Sequence, residues 1–255
     1  MRPRFSQFPA SFWLAKIWLM LFVLCAVGAN CASAQNRGTF VYTGGNGYSG
    51  TPTPVSGFAI NASNGTLSTV SGSPFGLPGR LLAIAGDPSG KFVYVVTTDG
   101  SLSAFTVDSL AGTLTPVSGG PYTISGTSGG YSPTGRILSI DPTGKYLYTA
   151  GGSQLYGFAI DASSGALSAI ADSPFTATSA SAVAVDPSGH YLVTSSGTES
   201  WVYTIDSSTG ALSAYGSGVS GCGGNRMTFE PSGHFFTARW GRGSRPAVSA
   251  AAHCR

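Results

Sequence analysis

The chain has 255 residues, of which 37 are Gly and 15 are Pro, so about a fifth of it interrupts regular structure and long helices are excluded. Only 9% of residues are charged while 42% are hydrophobic, which excludes a disordered chain, a solvated coiled coil and a highly charged nucleic-acid binder. A packed all-β protein remains, and the length suits one large unit.

Residues 1–34 read as a signal peptide. Arg2, Arg4 and Lys16 supply a positive start, Ile17 to Val27 a short apolar run, and Ala32-Ser33-Ala34 a small-residue cleavage site before Gln35. The run is shorter than the ~20 residues of a membrane span, and Gly28, Ala29 and Asn30 fit a lipobox at Cys31 poorly. The expectation is an exported protein, periplasmic or extracellular, with no membrane span after cleavage. Loss of three of the 13 basic residues leaves 10 against 10 acidic ones. A mature chain of zero net charge offers no electrostatic basis for nucleic-acid binding. Cleavage also leaves two cysteines, Cys222 and Cys254, for which an oxidising compartment permits a disulfide; two free thiols are the alternative.

From residue 39 onward the chain is repetitive. Three strands are expected first, near 39–44, 54–60 and 66–70. Between them, Gly45-Asn46-Gly47-Tyr48-Ser49-Gly50 matches the G-x-G-x-x-G pattern, but Thr51-Pro52-Thr53-Pro54 continues as extended chain, so the helix N-terminus that would bind a pyrophosphate is missing. Asp87-Pro88-Ser89-Gly90 then begins a series continued by Asp141-Pro142-Thr143-Gly144, Asp186-Pro187-Ser188-Gly189 and Glu230-Pro231-Ser232-Gly233. Each is a tight turn: the acid accepts backbone N–H bonds, Pro presets φ, and Gly tolerates a positive φ. An apolar run precedes each turn and a β-run follows it, such as Phe92 to Val96 or Tyr146 to Thr149. A second marker alternates with the first: Asn61 to Gly65, Asp108 to Gly112, Asp161 to Gly165 and Asp206 to Gly210, with Leu67, Leu114, Leu167 and Leu212 two residues beyond each Gly. Each unit therefore holds two hairpins, and four strands in one short repeat is the content of a propeller blade. Gly126-Thr127-Ser128-Gly129-Gly130 matches G-x-S-x-G without the strand and helix a nucleophile elbow needs, and reads as an inter-blade loop.

The order of turn, Tyr-rich strand, alternating strand and Asp-x-x-x-Gly-x-Leu resembles the repeat of the lactonase family of seven-bladed propellers, which includes 6-phosphogluconolactonase-like and YVTN-repeat proteins. The resemblance runs from residue 38 to residue 236. It implies a blade order of three strands, then three sets of four, then two ending near Ala238, about 17 in all and well short of seven four-stranded blades. The domain expectation is a signal peptide at 1–34, propeller repeats at 35–238 and an atypical basic, Ala-rich tail at 239–255. About four blades are present, as an incomplete seven-bladed ring. The alternative is a small propeller closed with four blades by pairing the strand before Glu230 with the first blade.

Arg80, Arg136 and Arg226 stand just before the strand that leads into an Asp/Glu-Pro turn. In the resembled family that strand is innermost and lines the central channel, so the resemblance implies converging guanidinium groups suited to a carboxylate or phosphate. Structural pairing with backbone carbonyls is the competing reading, since the fourth copy has Ser181 and Arg80 is two residues out of register. His190 and His234 occupy the turn position of Lys91 and Lys145 and read as solvent-facing, and His253 lies in the tail. No metal site and no cofactor are expected. Glu199 reads as a surface-loop acid rather than a general base. The leading functional expectation is a secreted, non-catalytic binding or interaction scaffold whose partner is a protein or a small anionic or sugar ligand. The alternatives are a sugar-lactone hydrolase holding an acidic substrate on Arg136 and its neighbours, or a truncated fragment without function. Self-association is expected through end-blade faces bearing Tyr42, Phe58, Phe229 and Phe236.

N-terminal sequencing of the exported product should return Gln35 as its first residue; a soluble intracellular product retaining Met1 contradicts the cleavage site.

Overall fold

Short alternating segments punctuated by Asp-Pro and Asp/Asn-to-Gly turns leave the backbone one way to satisfy its N–H and C=O groups, which is antiparallel pairing between sequence neighbours. The computed structural model describes residues 38–44, 52–125, 137–177, 180–196, 198–224, 226–233 and 236–239. Among them it has nineteen strands and no helix.

The first blade is β1 (Thr39–Gly44), β2 (Val55–Ile60) and β3 (Leu67–Thr69), ordered β1-β2-β3. The second is β4 (Leu81–Gly86), β5 (Phe92–Thr97), β6 (Ser101–Val107) and β7 (Leu114–Pro116), with β8 (Tyr122–Thr123) also on β6. The third repeats this as β9 (Leu138–Ile140), β10 (Tyr146–Gly151), β11 (Gln154–Ile160) and β12 (Leu167–Ala169), with β13 (Phe175–Thr176) on β11. The fourth is β14 (Ala182–Val185), β15 (Tyr191–Ser196), β16 (Glu199–Ile205) and β17 (Leu212–Ser220), and β18 (Arg226–Phe229) with β19 (Phe236–Arg239) forms the last, two-stranded sheet. Three strands, then three sets of four in sequence, then two is the expected blade order. Among the described residues β18 pairs only with β19 and β1 only with β2, so the propeller is incomplete and the closed four-bladed alternative is not formed.

Two departures from plain four-stranded blades have one cause. The outermost strands β3, β7 and β12 are three residues long, which leaves the start of the neighbouring strand without a ladder partner. The chain returns to cover it through the cis bonds Ser73-Pro74, Gly120-Pro121 and Ser173-Pro174. The following aromatic then pairs back: Phe75 on Val55, Tyr122 on Leu102, Phe175 on Leu155. In the fourth blade β17 is nine residues long and spans the whole of β16, with a bulge between Ser200 and Val202, so no return segment is needed. Glu199, expected in a loop, is the first residue of β16 because β15 extends to Ser196.

Each Asp-Pro turn is held the same way. Asp87 accepts the amide of Phe92 at 2.7 Å and that of Ser89 at 2.9 Å, together with the Ser89 hydroxyl; Asp141 and Asp186 do the same to Tyr146 and Thr143, and to Tyr191 and Ser188. Successive turns abut: an added Cβ at Gly144, Gly189 or Gly233 would lie 3.3–3.4 Å from Pro88, Pro142 or Pro187 respectively.

The blades are joined by a contact repeated three times. One strand in each of the first three blades carries aromatic-x-Tyr: Phe40-Val41-Tyr42 in β1, Phe92-Val93-Tyr94 in β5 and Tyr146-Leu147-Tyr148 in β10. The Tyr hydroxyl crosses to the next blade and donates to the glycine carbonyl of its second hairpin turn: Tyr42 to Gly112 at 2.6 Å, Tyr94 to Gly165 at 3.1 Å and Tyr148 to Gly210 at 2.8 Å. The aromatic two residues earlier lies flat against the same glycine, so an added Cβ would sit 2.4 Å from the Phe40 ring at Gly112, 2.3 Å from Phe92 at Gly165 and 2.5 Å from Tyr146 at Gly210. These three glycines also have φ of +71°, +74° and +75°. Around the tie, apolar clusters fill each gap: Val55, Leu81, Val93, Phe105 and Leu114 between the first two blades, and Ala182, Val193, Met227 and Phe236 beside the last sheet.

The end blades differ from the expectation in which residues they expose. Tyr42 is turned into the first inter-blade contact, and Phe236 is buried and packs on Phe229 with ring centroids 5.7 Å apart. Phe58 is half-buried. The exposed large hydrophobic side chains at the ends are Val41 and Leu67 in the first blade and Tyr191, Tyr215 and Val219 in the fourth.

Gly210→Ala should cost about 3 kcal/mol, because a strained positive φ is added to a ring clash, whereas Gly65→Ala, with φ +71° but no atom within 4 Å, should cost about 1 kcal/mol. Tyr148→Phe, which leaves a buried carbonyl unpaired, should cost about 1–3 kcal/mol. Urea denaturation of the three variants reads the order.

Candidate functional site

The first strands of successive blades, β4, β9, β14 and β18, lie side by side. Ser139 on β9 accepts the Val185 amide of β14 at 3.0 Å, stitching two of them together directly. Over β9, β14 and β18 runs a groove of about 260 Å³. Leu138, Ile140, Val183, Val185, Met227 and Phe229 make its apolar lining, and Ser139, Thr228 and Asp186 are polar members. These strands are short and apolar because each leads straight into an Asp/Glu-Pro turn, so the turn acids stand at one end of the groove.

Those acids are committed to the backbone. Asp186 is 4% exposed. Burial pushes its carboxyl upward, but the Ser188 hydroxyl and the amides of Tyr191, Ser188 and His190 outweigh burial and hold it below the ordinary carboxylate value. The second-hairpin acids behave alike. Amides of Ala111 and Leu110 hold Asp108 low, the hydroxyl of Ser163 followed by the amide and hydroxyl of Ser164 does so for Asp161, and the Ser208 hydroxyl and amide bring Asp206 down to about 2. At Asp99, burial again acts upward and is outweighed by the Thr97 and Ser101 hydroxyls. Glu199 accepts the Ser220 hydroxyl at 3.1 Å. His190 is exposed, with Nδ1 2.8 Å from the Ser188 hydroxyl. Among the described residues no group of three or more His, Cys, Asp or Glu is placed to hold a metal.

Of the three arginines the described residues include Arg80 and the backbone of Arg226. Arg80 is half-buried immediately before β4, its amide donating to Thr98 Oγ1 at 3.2 Å and its carbonyl accepting the Thr98 amide at 2.8 Å. Arg226 opens β18, with Arg239 as its Cα partner. Counted back from the turn acid, Arg80 is seven residues away and Arg226 four, so the two do not share a register position. Arg136 lies outside the described residues, as do the glycine-rich stretches 45–51 and 126–135, residues 1–37, His234, His253 and Cys254. Cys222 is buried and disulfide-bonded, and its carbonyl accepts the Ser200 hydroxyl at 2.7 Å.

Sequence reading missed the return segments and the tyrosine ties. Both had signals in the repeats: Ser-Pro-Phe, Gly-Pro-Tyr and Ser-Pro-Phe end the first three units, and Phe-Val-Tyr, Phe-Val-Tyr and Tyr-Leu-Tyr lie in β1, β5 and β10.

No family model matches the chain, and no curated protein matches it. Solved structures do. A candidate 6-phosphogluconolactonase from Bacteroides uniformis superposes with a TM-score of 0.54 at 21% identity, over 70% of this chain and 51% of its own. A periplasmic gluconolactonase from Pseudomonas aeruginosa gives 0.56 at 16% identity, over 78% and 59%. A protein of unknown function from Desulfotomaculum acetoxidans gives 0.57 at 15% identity, over 77% and 60%. The fold is that of the 6-phosphogluconolactonase-like propellers, as the repeat resemblance implies, and the chain spans between half and three fifths of these structures' lengths.

Acid should weaken this fold through the turn carboxylates. A carboxyl whose folded value lies below its unfolded 3.8 contributes stability that is complete above the unfolded value and is lost as pH falls through the folded one. The melting temperature should therefore hold down to about pH 4 and drop between there and about pH 2. Asp206→Asn, which reproduces the Asn61 turn of the first blade, should shallow that drop in a Tm-against-pH series.

Proposed function

We propose that the chain is part of an exported propeller that serves as a binding scaffold, with the inner-strand groove over β9, β14 and β18 as its ligand-facing surface. The observation that carries this reading is the commitment of the groove's carboxylate. Asp186 spends its oxygens on Ser188 and Tyr191 and is held low, whereas a general base needs a free lone pair and a pKa near working pH. What the groove offers instead is apolar surface flanked by the hydroxyl-bearing Ser139 and Thr228. A volume of about 260 Å³ is near the small end of ligand clefts. Apolar walls with hydroxyls at their border suit the C–H face and hydroxyls of a sugar. Export is supported by the signal-peptide pattern of residues 1–34, and the likeness to a periplasmic gluconolactonase is compatible with it.

A second reading, hydrolysis of a sugar lactone, is favoured by the likeness to proteins named as 6-phosphogluconolactonase and gluconolactonase. In that case Arg136 and neighbouring arginines hold an acidic substrate while water attacks the ring carbonyl.

The exported chain should bind gluconate or a gluconolactone in calorimetric titration while leaving lactone hydrolysis at its spontaneous rate, and Phe229→Ser should weaken that binding about tenfold, the worth of one lost apolar contact of about 1.4 kcal/mol. Accelerated hydrolysis that disappears in Arg136→Ala establishes the second reading. Neither binding nor hydrolysis overturns both.

A further inference from the structure

The repeated contact between blades has two halves, and the described chain leaves one of each without its counterpart. The first half is an aromatic at the start of a blade's second strand. Phe92 and Tyr146 are 4% and 8% exposed because the glycine turn of the following blade roofs them. The fourth blade's equivalent, Tyr191, is 41% exposed, and its cross-sheet neighbour Tyr215, 5.9 Å away ring to ring, is 61% exposed. The second half is the glycine turn with its following leucine. Leu114 and Leu167 are 8% and 6% exposed, whereas Leu67 is 58% exposed and a Cβ on Gly65 would touch nothing within 4 Å. The same opening reaches Val41, 39% exposed where Val93 is 4% and Leu147 is 0%. The back of the first blade is thus a surface whose complement is the front of another blade of this repeat, and the outer part of the fourth blade's front is such a surface.

We propose that these two surfaces bind each other between copies of the chain. The turn from Asn61 to Leu67 of one copy seats on Tyr191 and Tyr215 of a second, continuing the interface already formed three times within each chain. The inner part of the fourth blade is already covered by β18 and β19 through Val193, Met227 and Phe236, so only the outer ledge is engaged and the contact is smaller than an internal one. Each copy carries both halves on different blades, so the contact is heterologous and adds copies head to tail instead of stopping at a symmetric pair. A mature chain of zero net charge adds no long-range repulsion between copies.

Sedimentation of the mature chain between about 1 and 100 µM, where interfaces below standard size assemble, should show mass rising past two copies. Leu67→Asp keeps only the aromatic half, and the double change Tyr191→Asp with Tyr215→Asp keeps only the turn half. Each variant alone should remain a monomer, and an equimolar mixture should form a one-to-one pair that grows no further. A wild-type chain that stays monomeric throughout, or association unchanged in both variants, overturns the proposal. If Leu67→Asp fails to fold by circular dichroism, the Tyr191/Tyr215 variant decides alone: loss of assembly supports the proposal and retention sinks it.

Discussion

A blade of this protein is two hairpins thick at most and has two apolar faces, so nothing about it is stable until another blade lies on each face. The contact that makes this happen is small: one tyrosine hydroxyl on one glycine carbonyl, with a ring flat against that glycine. It works because two requirements coincide at one residue. The second hairpin turn needs a positive φ, which selects glycine, and the missing Cβ lets the ring of the preceding blade approach to a distance any other residue would block. The turn therefore shapes its own blade and provides the seat for its neighbour. The strand order, the alignment of Asp-Pro turns and the inner-strand groove all follow from that stacking.

Polar chemistry in the molecule is spent almost wholly on holding turns. With 9% charged residues the chain has few carboxylates, and those of the Asp-Pro and Asp-to-Gly turns accept two or more bonds each, which fixes loop shape in place of long loops or helices. That use conflicts with catalysis, because a carboxylate saturated by amides and hydroxyls is a poor proton acceptor. The groove over β9, β14 and β18 accordingly presents shape and apolar surface more than reactivity. This is why the same scaffold that superposes on gluconolactonases supports a binding reading on its own geometry.

Much of the architecture was legible because the turn markers are chemically unambiguous: Asp-Pro-x-Gly and Asp-x-x-x-Gly-x-Leu place hairpins, and hairpins in sequence place blades. What was not legible is burial. Phe40-Val41-Tyr42 and Phe92-Val93-Tyr94 are the same three residues, yet Val41 is 39% exposed and Val93 4%, because among the described residues only the second has a blade behind it. Local pattern says which face is apolar and cannot say whether a neighbour arrives. For the same reason, of the residues expected at exposed ends Tyr42 is half-buried and Phe236 buried, while Leu67 and Tyr191 are exposed. The arginines were legible as residues, and whether they form a site turns on Arg136, which lies outside the described residues, and on register, which decides which face a strand residue serves.

The fourth blade shows what happens when one part of the repeat changes. Its second strand reads Tyr191-Leu192-Val193, so the hydroxyl donor is replaced by a valine that is 3% exposed among Met227, Phe236 and Ala182. On the same blade the Ser-Pro-aromatic return is absent, and β17 runs on for nine residues, mostly exposed. Among the described residues no glycine turn lies over Tyr191, and without a return segment the outer strand itself pairs along all of β16, which leaves the exposed Tyr215 beside Tyr191. A junction of this kind grips its neighbour by apolar contact at the inner strands alone, so of the contacts between described blades it is the one with least directional restraint. Where the repeat keeps both tyrosine and return segment, each blade is fixed at its inner and outer edges; here it is fixed at one.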